Sequence, residues 1–230
     1  MVLSTGMNGL DLTAELKQFF CDNILNWGKL NLRVFPWRWQ KDSYKVLVSE
    51  VLLVQTFARK VVPVYKKILH NYPNFFILAL ANPDDIKEII MPLGLIYRAN
   101  LLVQVANYVV KNFNGVLPNS KDELLDIKGI GDYISSAIQC FAFNKPVPIV
   151  DANVSRVLGR FFGLEWPIKT TKLKSTFDIT AKDLVPVNDP RLYNYALLDF
   201  GALICKHYNP LCNNCPIAYN CHSKVNFKLT

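Results

Sequence analysis

The stretch Leu124-Leu125-Asp126-Ile127-Lys128-Gly129-Ile130-Gly131-Asp132-Tyr133-Ile134 decides how this chain reads. Just ahead of it, Ser120 precedes Glu123 by the spacing of a capping box, which predicts a helix start. That helix runs through Leu124 and Leu125 and stops at Lys128-Gly129-Ile130-Gly131. A second helix begins near Asp132 and carries Ala137 and Ile138. Two helices joined by Gly-Ile-Gly make a tight hairpin, because glycine admits positive φ and the close approach of another backbone. The amides of such a turn, with the N-terminus of the second helix, suit a phosphate. A plain helix C-cap followed by another helix also uses Gly-x-Gly. The surrounding Leu-x-x-Ile-x-Gly-Ile-Gly frame favours the nucleic-acid backbone.

Outward from the hairpin the pattern stays helical. Thr13 opens an amphipathic segment with Leu16, Phe19, Phe20, Ile24 and Leu25 on one side. Trp27 to Trp39, with Phe35-Pro36-Trp37-Arg38, reads as a loop. Tyr44 to Leu69 is rich in valine, yet Val46, Glu50, Leu53, Phe57, Val61 and Tyr65 recur at three to four residues, which predicts two helices. Further helices are expected over 82–90 and 98–113, with Pro92, Gly94, Gly115 and Pro118 as punctuation. The fold class is all-α with short connections. The 230 residues are 51% hydrophobic, enough for a compact domain or two small ones. No apolar run is long enough to span a bilayer, so no membrane partner is expected. Met1 to Gly9 lacks the pattern of a secretion signal, and a cytoplasmic, nucleoid-associated protein of a prokaryote is expected. The net charge of +8 suits a polyanion.

Two further features carry chemistry. Val150-Asp151-Ala152-Asn153 follows the hairpin, with Asp151 twenty residues beyond Gly131. Asp151 opens a helix, and an aspartate there is a favoured N-cap worth about 1 kcal/mol. Held beside a bound nucleotide, the same carboxylate could stabilise positive charge on a sugar or orient water. Arg156 and Arg160 on the following helix are expected to face solvent or DNA. Of the six cysteines, Cys205, Cys212, Cys215 and Cys221 share one short stretch. In a reducing compartment this reads as metal ligation. Four thiolates hold either a tetrahedral zinc or a cubane cluster, and spacing alone does not choose. Lys206, His207, Lys224 and Lys228 surround them.

Taken together, the hairpin with Gly129-Ile130-Gly131, Asp151 behind it and the cysteine spacing resemble the endonuclease III and adenine glycosylase superfamily of helix-hairpin-helix DNA glycosylases. The resemblance covers about residues 35 to 222. It implies two helical domains flanking a cleft: a six-helix barrel over 36–143, and a cluster domain from 1–35 plus 144–230. It implies a [4Fe–4S] cluster on Cys205, Cys212, Cys215 and Cys221. The partner it implies is double-stranded DNA with a mismatch, bound by a monomer that flips a nucleotide into its pocket. Lys128, Gly129, Ile130 and Gly131 would grip the backbone. Ser49-Glu50-Val51-Leu52-Leu53-Val54-Gln55-Thr56 matches the family helix that supplies a pocket carboxylate, Glu50, and an intercalating residue, Gln55. Arg38, Ala58 and Tyr195 would line the base pocket. Tyr97 lies in the loop 94–99, which matches the family's DNA wedge but is a residue shorter.

The resemblance also indicates the type of member. Bifunctional members place a Schiff-base lysine where this chain has Tyr133, so a monofunctional enzyme is expected, with Asp151 as its carboxylate. Adenine glycosylases carry Asp-Gly-Asn, a Phe-Asn-Gln motif, valine at the position of Ala58 and a further C-terminal domain. This chain has Asp151-Ala152-Asn153, Tyr193-Asn194-Tyr195 and Ala58, and ends nine residues after Cys221. It is closer to the mismatch glycosylases that remove thymine or uracil opposite guanine, although Tyr195 replaces an aliphatic residue typical of that branch. Adenine opposite 8-oxoguanine or guanine is the alternative. A non-catalytic DNA-binding protein and an electron-transfer protein are the rival classes; intact Asp151 and Glu50 argue against the first, and a lone cluster in a basic helical chain against the second. Borohydride is expected to trap no covalent complex on an abasic duplex, with strand breaks appearing only after alkali or heat. Efficient trapping would contradict the assignment at Tyr133.

Overall fold

The computed structural model describes residues 13–226. Met1 to Gly9 and Lys228, both read above, lie outside the described residues. Among those residues there is no strand, and the chain is all-α, as its apolar spacing predicts. No described helix is long and apolar enough to cross a membrane. In chain order the helices are α1 (Ala14–Asn31), α2 (Ser43–Leu53), α3 (Ala58–Asn71), α4 (Phe75–Ala79), α5 (Pro83–Ile90) and α6 (Arg98–Phe113). They continue with α7 (Lys121–Leu125), α8 (Asp132–Phe141), α9 (Ala152–Phe162), α10 (Thr171–Leu184), α11 (Pro190–Leu203) and α12 (His222–Asn226). The chain divides into two compact units.

One unit comprises residues 33–149 and 187–191. Its axis is α2, where Tyr44 and every residue from Val46 to Leu52 are buried. Asp42 starts this helix by accepting from the Tyr44 amide at 2.9 Å, a cap of the kind that satisfies an otherwise orphaned donor. α2 packs against α3, α6 and α8, and α6 in turn packs against α4 and α5. Val46, Leu47, Val61, Ile68, Leu102, Val109 and Ile138 form the core between them. The heptad-like run through Tyr44–Leu69 is interrupted at Gln55, whose φ of 50° ends α2. Phe57, counted in the apolar repeat, sits in this break and is 80% exposed. Helical spacing cannot see the break, because the periodic pattern runs straight across it.

The hairpin is α7 and α8. Ser120 occupies the N-cap position of α7, but its side chain makes no capping bond, so the capping box is not formed. Lys121 instead pairs with Asp132 at 3.2 Å, tying the two helix starts together. Gly129 has φ +98°, and a Cβ there would meet the Leu101 side chain of α6 at 2.0 Å. Gly131 has an ordinary extended backbone and open space where a Cβ would stand.

The other unit comprises the described residues up to Leu32, Val150–Pro186, and the chain from Leu192 onward. α1 starts at Thr13, whose hydroxyl accepts from Leu16 at 3.2 Å. It continues to Asn31, so Trp27, read as loop, is helical and packs edge-on against Phe200 with ring centroids 5.3 Å apart. Phe20, Phe161 and Phe162 interlock at 4.7–5.2 Å between ring centroids. Val157, Leu158, Phe177, Leu184 and Leu197 complete this core.

The two hairpin glycines should respond differently to alanine. Gly129→Ala should lose about 1–3 kcal/mol through the clash and the left-handed backbone. Gly131→Ala should stay within about 0.5 kcal/mol of the parent. Urea unfolding followed by circular dichroism measures both, and equal losses would show that the hairpin needs both glycines for folding alone.

Candidate active site and cysteine loop

Asp151 is the N-cap of α9. Its Oδ1 accepts from the Val154 amide at 2.7 Å, as the capping expectation requires. Its Oδ2 accepts from the Asn153 side-chain amide at 2.9 Å. Both oxygens are thereby oriented, while a carboxylate offers about four acceptor sites in all. The group is half-buried, so it is held in a fixed pose yet keeps acceptor capacity for a further partner.

Asn153 is held in its turn. Its Oδ1 accepts from Arg156 Nη2 at 2.9 Å. Arg156 is 5% exposed, and it faces inward rather than toward solvent or DNA. Its other bonds go from Nη2 to the Gly201 carbonyl at 2.8 Å and from Nε to the Cys205 carbonyl at 2.9 Å. Burial pulls the Arg156 guanidinium below its ordinary value. Asp151 and the first cysteine of the cluster are therefore joined through Asn153 and Arg156. The spacing of three between Asn153 and Arg156 places them on one helix face, the single sequence signal for this link.

Arg160, one turn further along α9, clamps the cysteine loop. It donates to the Lys206 carbonyl at 2.6 Å, the His207 carbonyl at 3.0 Å and Cys205 Sγ at 3.6 Å. Its own carbonyl accepts from Cys221 Sγ at 3.4 Å. The His207 ring stacks edge-on with Trp166 at 5.4 Å, and Trp166 donates to the Ser155 hydroxyl at 3.1 Å.

Cys205, Cys212, Cys215 and Cys221 line one cavity of about 380 Å³ with Val157, Phe161, Phe200, Leu211 and Ile217 among its apolar walls. Among the described residues, no three His, Cys, Asp or Glu side chains are grouped to hold one metal ion. A single zinc with bonds of about 2.3 Å would need the sulfurs drawn together around one point. Four cysteine side chains lining one largely apolar cavity are a donor set that either a tetrahedral zinc or a cubane cluster uses. Burial pushes the Cys215 thiol up to about 11, and the charges of Cys205, Cys221 and Cys212 push in the same direction. Four thiolates at this spot require a strong positive charge among them.

In the other unit, Glu50 lies mid-way along α2 and is 4% exposed, not on a helix surface. A buried carboxylate is costly unless it is hydrogen-bonded or paired. α8, which packs on α2, carries Tyr133 in its first turn, half-buried. Ala58 is the first residue of α3 and half-buried. Gln55 is exposed in the turn between α2 and α3. Arg38 is 4% exposed, with its guanidinium 5.8 Å from the Phe35 ring centroid. Phe35 stacks on Trp37 at 4.9 Å. Lys128, Gly129 and Gly131 are exposed, and Ile130 is buried beneath them. No side chain caps α8 at Gly131, and nothing lies within 4 Å of where a Cβ of Gly131 would stand. Tyr97 is 55% exposed at the start of α6. Tyr195, in the unit that holds Asp151, is 3% exposed on α11. Sequence reasoning missed Arg98, the largest fully buried side chain among the described residues, because an isolated arginine at a helix start gives no signal.

The chain is 36% identical over 206 residues to a thymine/uracil-DNA glycosylase of Pyrobaculum aerophilum, covering 87% of this chain and 89% of that protein. It is 35% identical over 211 residues to an adenine DNA glycosylase of Buchnera aphidicola, covering 91% of this chain; it spans 60% of that relative's length. The solved structure of a thermostable thymine-DNA glycosylase superposes with a TM-score of 0.87 at 32% identity, covering 94% of this chain and all of that one. Residues 48–190, which take in Glu50, the hairpin and Asp151, match the family model of the HhH-GPD superfamily base excision DNA repair proteins, and the chain belongs to that family.

Proposed function

We propose that the chain is a monofunctional DNA glycosylase of base excision repair that removes thymine or uracil paired with guanine. The observation that carries the reading is Asp151, a carboxylate fixed at both oxygens in a chain of this family. The basic chain binds duplex DNA mainly through phosphates. The uncapped start of α8 and the amides at Gly129 to Gly131 take one strand. The flipped base is received by Glu50, Ala58 and Tyr133 of the unit built on α2. As the C1′–N bond breaks, its electron pair leaves with the base and positive charge grows on the sugar. Asp151 stabilises that charge, water adds to C1′ and gives up one proton, and the base nitrogen takes up a proton, so the products are an abasic site and the neutral free base. Tyr133 offers a phenol, which forms no Schiff base.

The cysteines would hold a [4Fe–4S] cluster, whose cationic core would offset part of the charge of the four thiolates and order their loop. The resemblance of the cysteine spacing to the family and the presence of all four sulfurs in the lining of one cavity support this reading. The protein acts as a monomer in the cytoplasm of a prokaryote.

Adenine opposite oxidised guanine is the second reading, favoured by the likeness to the Buchnera relative. Adenine recognition needs a group that reads both its N6 donor and its N7 acceptor, as an amide does. Tyr195 is a poorer reader. Ala58 leaves room for the thymine methyl, where valine would crowd it.

Single-turnover rates on matched duplexes test the assignment. Excision of thymine and uracil opposite guanine should exceed excision of adenine opposite 8-oxoguanine. Uracil and thymine should differ modestly, since one methyl changes pocket binding by about 1–3 kcal/mol. Asp151→Asn should bind DNA yet cleave at least about a hundredfold more slowly. Faster release of adenine by the parent chain would promote the second reading, and an unimpaired Asp151→Asn would reduce Asp151 to a cap.

Protein purified anaerobically should be brown and carry about four irons per chain. Cys212→Ser should lose that colour. Stoichiometric zinc without iron would falsify the cluster.

A further inference from the structure

Arg98 is 1% exposed, and among the described residues none of its partners is a carboxylate. Nη1 donates to the Leu52 carbonyl and, at 3.4 Å, to that of Val51. Nη2 donates to the Thr56 hydroxyl at 3.1 Å, the Gly94 carbonyl at 3.2 Å and the Leu93 carbonyl at 3.4 Å. Nε donates to the Leu95 carbonyl at 3.2 Å. One guanidinium thus serves two separate segments. The first is the C-terminus of α2 with the turn that carries Gln55. The second is the loop 93–97 that enters α6. Helix C-termini leave carbonyls without partners and carry partial negative charge, so the end of α2 supplies the counter-charge that a carboxylate would otherwise provide.

Each segment has a left-handed non-glycine residue at or beside its contacts with Arg98: Leu95, whose carbonyl Arg98 binds, and Gln55, next to Thr56. Gln55 and Leu95 are non-glycine residues with φ of 50° and 46°, and Gly94 between Leu93 and Leu95 has φ 69°. Left-handed backbone at such residues costs of order 1–3 kcal/mol and persists only where surroundings enforce it. Thr56 reinforces the first turn by donating to the Val54 carbonyl at 3.0 Å. Meanwhile the side chains that these segments carry point outward. Gln55, Leu95, Ile96 and Tyr97 are all exposed, with Ile96 at 51% and Tyr97 at 55%. Leu95, Ile96 and Tyr97 make a contiguous exposed apolar run on a backbone held by Arg98, the kind of patch that marks a contact surface.

We propose that Arg98 is the positioning residue for entry into DNA: its buried guanidinium locks the Gln55 turn and the 94–97 loop into one rigid bracket, so that both insert into the duplex together. This rests on the glycosylase reading above. Arg98 touches neither the base nor the sugar; it acts through the segments it holds. Lysine cannot replace it, because a point charge with three donors cannot serve carbonyls from two segments as a planar fork does.

The test uses Arg98→Lys and Thr56→Val in the full chain. Thr56→Val removes one acceptor and leaves the arginine in place, which covers the case in which Arg98→Lys fails to fold. Insertion is read by 2-aminopurine placed beside a guanine–uracil mismatch, whose fluorescence rises on unstacking. Excision is read as single-turnover rates on that duplex and on uracil in single-stranded DNA, where no stack must be opened. Both variants should lose the fluorescence rise. Arg98→Lys should cleave the duplex about tenfold to a hundredfold more slowly, and Thr56→Val should move less in the same direction, with single-strand excision unchanged for both. Equal losses on both substrates would show a merely structural arginine and overturn the proposal. A parent-like signal and rate in both variants would overturn the role of Arg98 alone. A parent chain that neither unstacks nor cleaves the mismatch would overturn the glycosylase reading with it.

Discussion

A guanidinium taken out of water must find oxygen for its donors, and Arg156 shows what that demand organises. Its partners are the Asn153 side chain, the Gly201 carbonyl and the Cys205 carbonyl. Because Asn153 must turn its oxygen to the arginine, its amide nitrogen is presented to Asp151 Oδ2. The backbone amide of Val154 fixes the other oxygen. The pose of the carboxylate is therefore a consequence of how one buried charge is satisfied. Gly201 contributes by its size as well: a Cβ there would meet Asn153 at 2.8 Å. Breaking any of these contacts strands a buried donor, which costs far more than the bond itself contributes.

The same logic governs the cysteine loop. Its backbone between Cys205 and Cys221 has little regular structure beyond two short 3₁₀ turns at Cys212–Asn214 and Ala218–Asn220. Arg160 binds its start through Lys206 and His207 and receives Cys221 at its end. What remains inside is a largely apolar cavity lined by the four cysteines, with Arg160 and Lys224 as the cationic residues of its wall. Arg160 reaches Cys205 Sγ at 3.6 Å, so the residue that clamps the loop also brings positive charge to its sulfur.

In the unit built around α2, burial is set by position rather than by residue type. Glu50 is carried into the interior because α2 is covered by α3, α6 and α8. The hairpin is seated by Gly129 against Leu101 of α6, while Gly131 has no neighbour to avoid. The first glycine answers to packing. The second is free for whatever approaches the start of α8.

How much of this was legible beforehand follows from the range of each interaction. The helix limits at Thr13, Asn82 and Arg98–Phe113, the hairpin, the cap at Asp151 and the cysteine set are written in contacts within a few residues, and the sequence by itself determined them. Three local readings failed where local signals mislead. Ser120 has the spacing of a capping box but forms no cap, Trp27 continues a helix, and Phe57 keeps the apolar period yet points to solvent. The inward turn of Arg156, the burial of Glu50 and the bracket at Arg98 were decided only by the tertiary structure. Each depends on partners 42 to 49 residues away, as in Arg98 with Thr56 and Arg156 with Cys205, or on helices that cover a face. A charged side chain reads as solvent-facing until the fold supplies the carbonyls that let it be buried, and no spacing along the chain announces where those carbonyls will be.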